Sequence, residues 1–182
     1  MILVVDMNFK KNSLGFEEFV LPLVSLVERF SDVVTCHYSE LTSFLLKKAE
    51  KVVLSGTPLK NSHYLNNLAE FEWIKEWKKP LLGICAGMQV TAKIFGSELK
   101  RCVEIGMTKI KTVKENPLFS GSFEAYELHS LSVEPSKGFE ILAISDKCIQ
   151  ALKHRKKAIY CVLFHPEVRN REIVESFAIS SF

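Results

Sequence analysis

The sequence predicts a single α/β domain: a mostly parallel central sheet flanked by helices, with antiparallel additions in the C-terminal half. Three observations carry this. The first 95 residues alternate short, near-continuous apolar runs with longer amphipathic stretches, the signature of parallel strands buried on both faces by crossover helices. After residue 106 the pattern changes to short strand-like segments separated by turn residues. The length, 182 residues, suits one domain that buries about 70% of its unfolded surface, and residues 1–182 show no linker, repeat or low-complexity segment.

In order, Ile2–Met7 reads as a buried strand and Phe16–Phe30 as a helix with apolar residues at helical spacing. Val33–Tyr38 is a second strand, Leu41–Lys48 a short helix, and Lys51–Ser55 a third strand entering the turn Gly56-Thr57-Pro58. Tyr64–Trp77 places Leu65, Leu68, Phe71, Trp73, Ile74 and Trp77 at a helical period. Leu81–Ile84 is the fourth strand, and the segment from Gln89 to Phe95 opens a helix. Met107–Val113, Phe123–Leu128, Ser130–Val133, Glu140–Ala143, Gln150–Lys153 and Ile159–Phe164 are the short strands of the second half, and Arg171–Ile179 a closing helix.

Composition narrows the function classes. The hydrophobic fraction of 47% and charged fraction of 25% are those of an ordinary globular protein. A formal charge of +3 implies neither nucleic-acid nor membrane binding, and the basic run Lys153–Lys157 reads as a solvated hairpin turn. Five cysteines without C-x-x-C spacing argue against a disulfide framework or a metal site of the zinc type, and fit a reducing cytoplasm. The N-terminus lacks the basic region and cleavage site of a secretory signal, and no apolar run reaches membrane-spanning length. With no P-loop and no G-x-G-x-x-G, neither a nucleotide site nor any other cofactor is indicated.

The chemistry lies in Gly83-Ile84-Cys85-Ala86-Gly87-Met88-Gln89. A reactive side chain between two glycines, where a strand turns sharply into a helix, is a nucleophile elbow. A helix N-terminus presents unpaired N–H groups and the positive end of the helix dipole, which favour a thiolate. The spacing alone also fits a buried core cysteine. The strand Ile159–Phe164 ends in His165-Pro166-Glu167. Proline extends the residue before it, so His165 and Glu167 share a side of the chain. Glu167 can then accept from one imidazole nitrogen while the other faces a nucleophile. Thiol, histidine and orienting carboxylate make up the triad logic of acyl transfer, and both motifs end parallel strands, where α/β sheets hold their sites.

These residues resemble the class I (triad) glutamine amidotransferases, over nearly the whole chain. Residues 83–89 are similar to the family's cysteine motif and Phe164-His165-Pro166-Glu167-Val168 to its His/Glu motif. Leu54-Ser55-Gly56-Thr57-Pro58 resembles its oxyanion strand and His129-Ser130-Leu131 its glutamine-backbone segment. Asn116–Phe119, Gly138–Ala143, Ala151–His154 and Ile159-Tyr160 resemble the separate glutaminase subunit of archaeal-type GMP synthase, whereas His129-Ser130-Leu131 is closer to the anthranilate synthase glutaminase. Three departures stand out: Thr57 where the family usually has glycine, Cys161 and Leu163 where it commonly has glycine and glutamine, and Arg169-Asn170-Arg171 in place of a His-Thr continuation.

The resemblance implies a flavodoxin-like fold and a glutaminase. Cys85 would attack the side-chain amide carbon of L-glutamine, His165 would protonate the departing ammonia and activate the hydrolytic water, and Glu167 would orient His165. Backbone N–H groups of Ala86, Gly56 and Thr57 would hold the oxyanion. Gln89 and the backbone of Leu128, His129, Ser130 and Leu131 would clamp the substrate's amino and carboxylate groups. Residues 1–182 contain no ATP-binding or acceptor region, so a separate ATP-dependent synthetase subunit is the implied partner. A stand-alone cysteine hydrolase of γ-glutamyl compounds and a catalytically silent regulatory subunit, the latter suggested by Thr57, are the alternatives.

Overall fold

The computed structural model describes residues 1–182. The chain folds in the order β1 (Ile2–Asp6), α1 (Leu14–Phe19), α2 (Leu21–Val27), β2 (Val33–His37), α3 (Ser43–Lys48), β3 (Lys51–Leu54), α4 (Trp73–Glu76), β4 (Leu81–Ile84), α5 (Ala86–Ile94), β5 (Glu98–Thr112), β6 (Ser122–Glu134), β7 (Phe139–Ile144), β8 (Ile149–His154), β9 (Ile159–Val162) and α6 (Arg171–Ile179). One nine-stranded sheet has the order β2-β1-β3-β4-β9-β8-β7-β5-β6. Strands β2, β1, β3, β4 and β9 are parallel, and β8, β7, β5 and β6 extend the sheet in antiparallel fashion. This is the predicted mixed α/β architecture, and the basic run lies in the β8–β9 hairpin as expected.

Alternation along the strands divides the core. Ile2 and Val4 join Val20, Leu23, Val27, Val174 and Phe177 on the face covered by α1, α2 and α6. Leu3 and Val5 join Ile74, Met88, Val90 and Ala92 on the face covered by α4 and α5. The strands are therefore apolar throughout because both faces are covered.

Three expectations are corrected. The helix expected over Phe16–Phe30 is two helices that meet at Val20. Pro22 supplies no N–H and its ring crowds the carbonyl four residues earlier, so the helix restarts rather than continues. The helix expected over Tyr64–Trp77 is instead 3₁₀ turns over His63–Phe71 followed by the short α4. Asn67 breaks it (φ −122°, ψ 34°); its Nδ2 donates to the His63 carbonyl at 2.9 Å, a local bond that competes with a regular helix. Phe123–Leu128 and Ser130–Val133 form one strand, β6, and β5 begins at Glu98, well before Met107.

Candidate active site

Three strand ends of the parallel half converge with β6. Strand β4 runs into Cys85, which has φ 47° and ψ −99° and directly precedes α5. This conformation is strained for a residue with a Cβ. It is held because the turn leaves no slack. A Cβ on Gly83 would come within 2.8 Å of the Gly87 backbone, and one on Gly87 within 2.6 Å of Leu54. The Cys85 N–H is anchored to the Val162 carbonyl of β9 at 2.8 Å, and its Sγ donates to the Leu128 carbonyl of β6 at 3.8 Å.

His165 and Glu167 follow β9 and are buried with Cys85. The His165 Nδ1 and Glu167 Oε1 are 2.7 Å apart, while Nε2 makes no hydrogen bond. Burial disfavours the charged ring, but the Glu167 carboxylate, and then Cys85, outweigh it and hold the imidazole well above the ordinary histidine range. The ring is wedged in place. Phe19 of α1 packs against it with centroids 5.3 Å apart, and a Cβ on Gly56 would lie 2.5 Å from its Cε1. Glycine at residue 56 is thus what lets β3 approach the histidine.

Thr57 takes up its position without strain: the positive-φ residues other than glycine are Asn12, Cys85 and Asn170. Its Oγ1 donates to the Asn61 carbonyl at 3.1 Å, tying the loop after β3. Ala86 is the first residue of α5, a position whose N–H lacks an intrahelical acceptor. The predicted site residues Thr57, Cys85, Gln89, Leu128, His129, Ser130 and Leu131 line one cavity of about 20 Å³.

Two details go beyond the sequence reading. The Tyr64 hydroxyl donates to Gln89 Oε1, and Gln89 Nε2 donates to the Leu131 carbonyl at 3.0 Å, so both ends of Gln89 are engaged. Burial, and next the proximity of Cys85, push the Tyr64 phenol upward, keeping it a neutral donor. Tyr64 lies among apolar residues at helical spacing, and only its hydroxyl distinguishes it from core. His129 contributes its backbone to the cavity wall, but both of its ring nitrogens face other groups: Nδ1 lies 3.1 Å from the Cys102 carbonyl, and Nε2 is beside Glu104 and Glu127.

A buried thiol at a strained elbow, an imidazole held by a carboxylate and a row of backbone groups opposite can support nucleophilic attack on an acyl carbon. The family model described as glutamine amidotransferase class-I matches residues 15–179. This chain belongs to that family. It is accordingly a glutamine amidotransferase. Among its relatives, the glutamine-hydrolysing subunit of GMP synthase from Saccharolobus solfataricus is 36% identical over 135 residues, 70% of this chain and 72% of the relative. The protein of the same description from Methanosphaera stadtmanae is 43% identical over 137 residues, 69% and 72% of the two chains. A crystal structure of a candidate GMP synthase subunit from Thermoplasma acidophilum aligns with a TM-score of 0.83 at 25% identity, covering 98% of this amidotransferase and 92% of that chain. A glutamine amidotransferase of Thermotoga maritima shares the fold, with a TM-score of 0.73 at 22% identity over 94% of this chain and 78% of that one. No helix of the amidotransferase is long and apolar enough to cross a membrane.

Proposed function

We propose that this amidotransferase is the glutaminase subunit of a two-subunit GMP synthase of the archaeal type, acting in the cytoplasm. The observation that supports the mechanism best is the elbow at Cys85 together with the His165–Glu167 pair at 2.7 Å. Cys85 attacks the side-chain amide carbon of glutamine, giving a tetrahedral intermediate whose oxyanion is held by the N–H groups of Ala86 and of the Gly56-Thr57 segment. His165 gives its proton to the departing ammonia, leaving a glutamyl thioester on Cys85. It then takes a proton from the water that hydrolyses this thioester, releasing glutamate and the free thiol. Glu167 holds the ring so that Nε2 faces the chemistry.

The acceptor is argued from the relatives, which are described as glutamine-hydrolysing subunits of GMP synthase at 36% and 43% identity. The cavity volume argues for a partner. About 20 Å³ is roughly the room of one water, so glutamine enters only when the segment from Pro58 to Tyr64 moves away from β6. Docking of the synthetase supplies that movement and receives the ammonia before water protonates it. Beside this segment a more open cavity of about 530 Å³, flanked by the exposed Phe9 and Leu14, offers the docking face.

The test is glutamine hydrolysis by the chain alone and with the ATP-dependent GMP synthase subunit, its nucleotide substrate and ATP. Stimulation of ammonia release together with GMP formation is expected. Equal activity with and without that subunit, with γ-glutamyl peptides as the better substrates, would instead establish the stand-alone hydrolase.

A further inference from the structure

The ring of His129 is buried in a second group of donors that the amide chemistry does not use. A bulge in β5 between Arg101 and Glu104 turns Cys102 out of regular register, and Glu104 pairs directly with His129 of β6. The turn from β7 to β8 brings Cys148 to the same place. The Sγ atoms of Cys102 and Cys148 and a carboxylate oxygen of Glu104 all lie within 4.8 Å of one another. Cys148 Sγ is 3.2 Å, and His129 Nε2 3.4 Å, from Glu104 Oε2.

We propose that Cys102, Glu104, His129 and Cys148 form a four-donor site for a thiophilic divalent cation, zinc foremost. Zinc bonds of about 2.0–2.3 Å in a tetrahedron separate the donor atoms by roughly 3.3–3.8 Å, the scale of the spacings just given. Two thiolates select zinc over magnesium or calcium.

The surroundings prepare the donors as metal sites require. The Nδ1–H of His129 donates to the Cys102 carbonyl at 3.1 Å, which leaves a lone pair on Nε2. Gln150 Nε2 donates to Glu104 Oε2 at 2.8 Å and Ser145 Oγ to Oε1 at 3.1 Å. A protonated His129 paired with Glu104 and Glu127 is the competing arrangement. Yet His129 Nε2, although buried, aligns with no hydrogen-bond acceptor, and neither oxygen of the fully buried Glu127 has a partner. A lone pair facing carboxylate oxygens is repulsive, and a cation among them removes the repulsion. Cys102 and Cys148 are partly exposed, giving an ion access. Burial, and next Glu104, raise the Cys148 thiol; loading releases both thiol protons to solvent, so affinity rises with pH. The donors come from residues 102, 104, 129 and 148, separations that no local sequence motif would reveal. Because Leu128 to Leu131 of β6 line the elbow cavity, a cation on His129 also fixes one wall of it.

The test titrates the reduced, chelator-treated chain with Co²⁺ under anaerobic conditions. One equivalent should give a thiolate-to-cobalt charge-transfer band and the visible spectrum of tetrahedral cobalt, both displaced by Zn²⁺, and Zn²⁺ should raise the melting temperature. Cys102→Ser and Cys148→Ser should each weaken binding by about tenfold or more, while Cys36→Ser and Cys85→Ala keep the wild-type spectrum. Absence of the band in the folded wild-type chain, its survival in both serine variants, or no shift in melting with Zn²⁺ would overturn the proposal.

Discussion

The Tyr64 hydroxyl donates to Gln89 Oε1, and through Gln89 Nε2 the same link reaches the Leu131 carbonyl of β6. A residue from the 3₁₀ turns after β3, one from the first turns of α5 and the strand opposite are thereby fastened across the mouth of the cavity. Tyr64→Phe deletes one neutral hydrogen bond, worth about 1 kcal/mol. Its expected effect is a several-fold change in the KM for glutamine with little change in kcat, read from steady-state hydrolysis in the presence of the synthetase. A large fall in kcat with KM unchanged would mean that Tyr64 acts in the chemistry instead.

Gly56 and His165 are in contact. Gly56→Ala would set a Cβ 2.5 Å from Cε1 and 2.9 Å from Nδ1 of the imidazole, forcing the ring or β3 to shift. A displacement of this kind costs about 100-fold in rate and about 1–3 kcal/mol in stability from overpacking. Hydrolysis rates and urea melts of the variant measure both. Full activity would show that the ring has room the structure denies it.

Glu167→Gln keeps the shape beside His165 but removes the carboxylate. A fall in kcat on the order of 10³–10⁴ is expected, as for other triads deprived of the orienting charge. The pH dependence of stability supplies a second readout. His165 has a folded pKa above its unfolded value, so the stability it contributes is fully present below the ordinary value of about 6.5. That stability is lost as the pH rises through the folded value. Wild-type stability should therefore decline on the alkaline side of neutrality relative to Glu167→Gln, whose His165 loses its main raising partner. Denaturant melts across that range give the comparison, and parallel curves would refute the linkage.

Cys85 stores backbone strain at φ 47°. Glycine adopts this region freely, so Cys85→Gly should be more stable than Cys85→Ala by about 1 kcal/mol or more, although both lose hydrolysis. Equal melting of the two variants would remove the argument that the elbow is strained.

The triad could be read before the fold was seen because each half is local. Gly83 to Gly87 encodes the turn, and His165-Pro166-Glu167 encodes a histidine with its carboxylate two residues away. The parallel half of the sheet was equally plain, since a strand covered on both faces has to be apolar throughout. Where reading failed, distant residues decided. Pro22 and Asn67 overrode helical periodicity, and the first half of β5, polar and interrupted by Gly106 at φ 97°, is defined only by its pairing with β6. Tyr64 belongs with these, because apolar spacing conceals a hydroxyl that works. The doubt that Thr57 raised is met by its ordinary backbone conformation, which the substitution of threonine for glycine does not disturb.

The account rests on Cys85 being the nucleophile that recognises glutamine. Incubation of the chain with the glutamine analogue 6-diazo-5-oxo-L-norleucine, with and without the synthetase, followed by peptide mass spectrometry, tests this most directly. The account predicts a single covalent adduct on Cys85, faster with the synthetase present and prevented by excess glutamine. An unmodified Cys85 in the folded chain under both conditions, or an adduct on another cysteine, would contradict it.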